Sequence, residues 1–379
     1  MARDDVDALL DRWLAAGVID GVTAAAIRDF ERERPAVQRL RWPAVVAGAL
    51  GGILVGAGVL LFVAAHWDGL APHERFALVV AMVAGFHVAG ALAVASGALA
   101  TTLHAVGTVT LGAGIALTGQ IFHLDAHWPT GVLLWAAGAA FGWLVLLDWP
   151  QAALAAVLVP AWLSAEWVGR SWFAGGRVDQ AVLAGGLLLA AFAYLAAERP
   201  AARRPVRRAL AWVGALALLP CALALASIDG GAPGWVPPDG RTGRYVVGWI
   251  VAFAGPVLAA GVLGGMTGTM VLAVAAVWVL IGPAGPLAIV HWTGAWPYLW
   301  WGISTLVLIA WGIREASPRR VNLGFAGFAL TVLGFYSSTV MDRLGRAVSL
   351  VGLGALFLVG GWLLDRLRRR VVARVQEVA

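Results

Sequence analysis

From Pro43 to Arg366 the chain alternates long apolar runs with short polar or glycine- and proline-bearing connections. About twelve such runs follow one another, each close to the roughly 20 residues a helix needs to cross a bilayer. They cover residues 43–65, 74–96, 101–123, 130–148, 150–168, 179–197, 207–228, 244–263, 267–282, 295–313, 320–340 and 346–366. The pattern predicts an all-α fold, a polytopic transmembrane helical bundle of about 12 spans. The ninth run is short, and Pro283 and Pro286 break the stretch after it, which makes this region a candidate discontinuous helix.

Residues 1–42 read differently. Asp4 and Asp5 can cap a helix with apolar positions Val6, Leu9, Leu10, Trp13 and Leu14 at helical spacing, and Gly17 ends it. Asp20 can cap a second, shorter helix through Ala26, Ile27 and Phe30. Two helices of this length bury too little apolar surface for a core of their own. The chain therefore divides into a cytoplasmic helical hairpin (1–42), a transmembrane helical domain (43–366) and a basic cytoplasmic tail (367–379). The first apolar run begins after about forty residues and lacks a small-residue cleavage site, so it is expected to act as an uncleaved anchor.

Composition sharpens this picture. Hydrophobic residues make up 61% of the 379 and charged residues only 13%, so the bilayer is the expected solvent and partner. All 27 basic residues are arginine, which excludes a lysine-dependent phosphate loop and Schiff-base chemistry. With the N-terminus placed in the cytoplasm, 20 arginines fall on the inner side and 7 on the outer, as the positive-inside rule requires. Both termini are then cytoplasmic. The net charge of +6 is explained by this topology, and nucleic acid is not an expected partner. Trp67, Trp128, Trp167, Trp172, Trp235, Trp292 and Trp296 gather at outer-face span ends, where an indole sits well among headgroups. The single cysteine, Cys221, permits no internal disulfide.

The third run is the least uniformly apolar. It carries Thr108, Thr110, Thr118, Gln120 and His123, groups that cost free energy in hydrocarbon unless another helix or water meets them. Gln120 is expected to find an interhelical partner or to line a hydrophilic cavity. His123 and His127 are four residues apart; on a continued helix they share a face and, with Asp125 or Asp68, could hold an outer-face metal ion or sense external pH. His87 and His104 lie within or at the inner ends of spans. Glu166 and Arg170, also four apart, suggest an ion pair on one helix face. Small-residue stripes at Gly48, Gly52 and Gly56, at Thr110, Gly114 and Thr118, and at Gly261 and Gly265 offer close helix approach or self-association. No nucleophile elbow, metalloprotease histidine pair or paired catalytic carboxylate stands in the chain, so no catalytic residue is assigned and enzyme is the weakest class.

The run Ala116-Leu117-Thr118-Gly119-Gln120-Ile121-Phe122-His123-Leu124, the turn Ala65-His66-Trp67-Asp68 and the segment Leu14 to Asp20 together resemble the bacterial predicted membrane proteins grouped as domain of unknown function 2157. The likeness covers roughly the first 150 residues best. It implies a multi-pass protein of the bacterial inner membrane with no established activity, and it directs attention to Trp67, Asp68, Gln120 and His123. That family often carries asparagine where His66 stands, which argues against His66 as a ligand. Two functions follow as expectations. One is transport-like handling of a small solute or lipid-linked group through a cavity near the third span. The other is a membrane scaffold or envelope sensor that signals to a partner through the N-terminal hairpin.

Overall fold

The computed structural model describes residues 10–33, 69–93, 97–123, 127–171, 177–198, 205–228, 242–285, 287 and 294–340, with parts of 351–366. Two compact units divide the chain at Ala71 and Pro72. In the first, residues 10–15 form a helical segment that Gly17 closes at φ 67°, a conformation only glycine adopts without strain. Helix α1 follows at Gly21–Glu33. Asp20 caps it, accepting a hydrogen bond from the Thr23 amide at 2.7 Å, and Arg28 pairs with Asp11 at 2.6 Å to tie the two helical pieces together.

The second unit holds α2 (Pro72–Leu92), α3 (Gly97–Ile121), α4 (Trp128–Leu146), α5 (Trp149–Ser171), α6 (Arg177–Ala196), α7 (Pro205–Ala226), α8 (Thr242–Ile281), α9 (Trp296–Arg314) and α10 (Pro318–Phe335). Among the described residues, nine helices are long and apolar enough to cross a membrane. One of them contains two predicted runs. Helix α8 is broken at Gly265, whose φ of 60° and ψ of −158° are open only to glycine. Its halves fold back on each other: a Cβ on Gly268 would lie 3.0 Å from the Ala260 carbonyl oxygen, whereas eight residues of straight helix span about 12 Å. Ten of the twelve predicted runs thus correspond to described helix, while run 43–65 lies outside the described residues and run 346–366 is described only in part.

Of the predicted discontinuity after the ninth run, Pro286 and residues 288–293 lie outside the described residues. Residues 282–285 form a turn that closes α8, with the Gly285 amide donating to Gly282 and the Leu287 amide to Leu280. The chain reverses at Gly265, between the eighth and ninth predicted runs, where a glycine can turn it with no proline at all. Gly265 is accordingly the point of reversal, and Gly261 of the same stripe lies against Thr269.

Helix α6 forms the centre. It packs on α7 and α8, and Leu188, Leu189, Ala193 and Leu195 join Leu218, Ala260 and Leu272 in the main apolar cluster. At the α6 C-terminus Arg320 is fully buried. Its guanidinium donates to the carbonyls of Leu195 at 3.0 Å and Glu198 at 3.1 Å, stacks over Trp311 at 3.9 Å and pairs with Glu315. The turn that closes α6 gives the Leu195 carbonyl only a long bond from the Glu198 amide at 3.4 Å, and a cation from α10 caps the negative end of the helix dipole.

Glu315 lies between α9 and α10. Burial alone pushes its carboxyl up, but hydrogen bonds from Arg320 and Trp311 and the charges of Arg320 and Arg314 hold it below the ordinary value. A lowered folded pKa stabilises fully above the ordinary glutamate range and is lost as pH falls through the lowered value. Thermal unfolding in detergent is therefore expected at lower temperature below about pH 4. Glu315→Gln should show less of that acid-dependent drop.

A histidine pair in the second and third spans

The segment from α2 to the start of α5 carries the most connected polar groups in hydrocarbon-spanning helix. His87 Nδ1 of α2 lies 3.2 Å from His104 Nδ1 of α3. The ring centroids are 5.5 Å apart, longer than the nitrogen separation by about two ring radii, so the two nitrogens point at each other head-on. That is the line of an N–H···N hydrogen bond. It requires one imidazole to carry its proton on Nδ1 and the other to leave Nδ1 bare.

Each ring is seated on a glycine of the opposite helix. A Cβ on Gly90 would fall 2.9 Å from the His104 ring, and one on Gly107 would fall 2.9 Å from the His87 ring. Both glycines stand three residues after a histidine of their own helix, His87 before Gly90 and His104 before Gly107. The antiparallel seam is thus reciprocal: each helix offers a ring and a seat one turn away. Only glycine leaves room for it.

Further helices fix His104. Its carbonyl accepts hydrogen bonds from the Thr108 hydroxyl and from Gln151 Nε2 of α5, both at 3.1 Å. Gln151 is fully buried and its Oε1 has no hydrogen-bond partner. Trp135 of α4 donates to the Thr108 carbonyl at 2.8 Å and covers Gly112. Thr101, one turn before His104, donates to Asp148 at 3.3 Å. All of these residues lie between positions 72 and 151.

Residues 11–151 match DUF2157, a family described as predicted membrane protein. The DUF2157 segment therefore contains the whole histidine pair, its glycine seats and Gln151. No curated protein and no solved structure matches the chain. The protein is a membrane protein with several candidate spans and a helical fold whose surroundings are the lipid bilayer.

The residues singled out from sequence have different fates. Trp67, Asp68 and Asp125 lie outside the described residues, as do His66 and the stripe Gly48, Gly52 and Gly56. Thr118 donates to the carbonyl of Gly114 in its own helix at 2.7 Å. Gln120 is exposed rather than buried, because α3 ends at Ile121 and carries it to the tip of the span. His123 is exposed at φ 47°, outside the helix, and His127 precedes α4 and lies 3.1 Å from Glu166. The two histidines share no helix, since α3 ends at Ile121 and α4 begins at Trp128. Among the described residues, no three His, Cys, Asp or Glu side chains gather to hold a metal ion. The side chain of Arg170, the expected partner of Glu166, lies outside the described residues. The third-span stripe does pack: Gly114 lies against Val79 of α2.

Sequence reasoning placed His87 and His104 in spans and did not join them. The signal was present as a histidine followed three residues later by glycine, once in each of two consecutive apolar runs.

Proposed function

We propose that the protein is a proton-responsive membrane sensor in which the His87–His104 pair is the titrating element and the α2–α3 seam is the part that moves. The single observation that carries this reading is the head-on Nδ1 contact of 3.2 Å between rings seated on Gly107 and Gly90. With one proton between them the two nitrogens attract. Once each ring has gained a proton, both Nδ1 atoms are donors and the bond is replaced by repulsion between two cations. Close-packed glycine seats give the rings little space to turn, so the strain passes into the helix pair. Among the described residues, Gln151 of α5 meets the His104 carbonyl and Trp135 of α4 the Thr108 carbonyl, and neither titrates; Asp148 stands one turn away through Thr101.

Transport through a third-span cavity has less support, since Gln120 is exposed and the cavity described below is lined by α5, α6 and α8. In this proposal the protein lies in a bacterial inner membrane with both termini cytoplasmic, the hairpin of residues 1–42 relays the state to a protein partner, and the outer-face histidines play no metal-binding part.

Hydrogen exchange of the full chain in vesicles tests the reading. Protection factors of α2 and α3 peptides, taken against the intrinsic exchange rate at each pH, are expected to fall on acidification, while those of α6 peptides hold. In His104→Gln, which cannot form the pair of cations, the protection factors of α2 and α3 should become independent of pH. An unchanged pH response in that variant removes the pair from the function.

A further inference from the structure

Helices α5 and α8 meet at one end through Trp167, whose ring lies against Gly248 and under the Arg244 guanidinium at 4.8 Å. Beyond that contact they part around a cavity of about 700 Å³, with α6 as its floor. Its wall residues on α6 run from Val182 to Tyr194, so it extends about 18 Å along the helices. Val159, Leu163, Val247 and Val251 line it and are each more than a third exposed, so the cavity opens sideways between two spanning helices. In a bilayer that opening faces hydrocarbon.

The polar groups are graded along this groove. Arg244 and Glu166 stand at the Trp167 end, and the Glu166 carboxylate meets His127 at 3.1 Å. Arg244 reaches the Trp167 carbonyl at 3.3 Å and Asp179 at 3.4 Å, both long contacts for a guanidinium. Trp162 also lines the groove, and its buried indole Nε1 has no hydrogen-bond partner. It stands five residues from Trp167, about 7 Å deeper. Pro160 and Pro256, both inside helices, line the same cavity, and proline-interrupted spans are where membrane proteins build binding sites.

We propose that this groove holds one acyl chain of a membrane phospholipid, with Arg244 facing the phosphate and Trp162 Nε1 donating to an ester carbonyl. The order fits. In a glycerophospholipid the ester carbonyls lie on the hydrocarbon side of the phosphate, as Trp162 lies on the hydrocarbon side of Arg244. An indole N–H left without an acceptor in hydrocarbon costs free energy, and an ester oxygen supplies one. The apolar walls and lateral opening suit an occupant that arrives from the bilayer and not from water. This inference is independent of the histidine pair.

The test uses the full chain in vesicles of phosphatidylethanolamine and phosphatidylglycerol carrying a trace of phospholipid with a photoactivatable acyl chain. Labelling is expected to concentrate on groove residues of α5 and α8. Gly255→Phe places a ring in the groove where a Cβ meets nothing within 4 Å, and should cut that labelling about tenfold or more. Trp162→Phe keeps the ring and removes the donor, and should weaken labelling about fivefold while the protein remains folded. Groove labelling unchanged in both variants overturns the proposal. So does efficient disulfide formation between Val251→Cys and a cysteine placed in residues 43–65, which shows the groove filled by the chain's own span.

Discussion

Replacing Arg320 with alanine is expected to destabilise the folded protein by about 3–5 kcal/mol, the largest effect of any single substitution considered. The guanidinium is fully buried and serves three groups at once. Its loss takes a donor from the Glu198 carbonyl, leaves the Leu195 carbonyl with only the long contact from the Glu198 amide at 3.4 Å among the described residues, leaves Glu315 without its main cation and opens a void beside Trp311. Arg320→Lys keeps the charge but cannot bridge two carbonyls and a carboxylate with a planar fork, so it should recover only part of the loss. If the ion pair were the whole contribution, Arg320→Met with Glu315→Gln would restore stability. The α6 carbonyls predict that it does not. Urea or thermal unfolding in detergent measures all four proteins, and a stability within 1 kcal/mol of the parent for Arg320→Ala would contradict the capping role.

Gly214→Ala is expected to cost about 1–3 kcal/mol or more, although it adds a single methyl group to a helix. The added Cβ would fall 2.5 Å from the Ala191 carbonyl oxygen and 2.7 Å from the Leu195 amide nitrogen. These are backbone atoms of α6, which cannot rotate aside as a side chain can, so α7 must move off α6. Elsewhere in a helix the same exchange raises stability slightly, since alanine has the better propensity. Gly255→Ala is the internal control: its Cβ meets nothing within 4 Å, and its unfolding should match the parent or exceed it slightly. Equal behaviour of the two variants would mean that α6 and α7 are not in backbone contact.

What the sequence made legible follows from what hydrocarbon demands. Every backbone group in a span must be satisfied within the helix, so length and apolarity alone delimit α2 to α10 to within a few residues. The two runs on either side of Gly265 were separable for the same reason, although their junction is a single residue. Position along a helix was legible; rotation about it was not. Gln120 looked buried because it followed an apolar run, whereas its place at the tip of α3 leaves it exposed. His123 and His127 looked like neighbours because four residues make a helical turn, but the chain leaves the helix after Ile121. The pair His87 and His104 was the reverse case, since residues 17 apart meet only once two helices are packed. Its trace in the sequence is the repeated spacing to Gly90 and Gly107. Arg320 gave no such trace, as a positive charge beside a span reads first as an insertion signal.

The measurement that reaches the central claim most directly is nitrogen NMR of the full chain in vesicles, with ring-¹⁵N histidine and assignment by His87→Gln and His104→Gln. At neutral pH the account predicts opposite tautomers for the two rings, one Nδ1 protonated and the other bare, with a coupling across the N–H···N bond that disappears on acidification and in either variant. Two rings with the same tautomer, or no coupling between them at any pH, would contradict it.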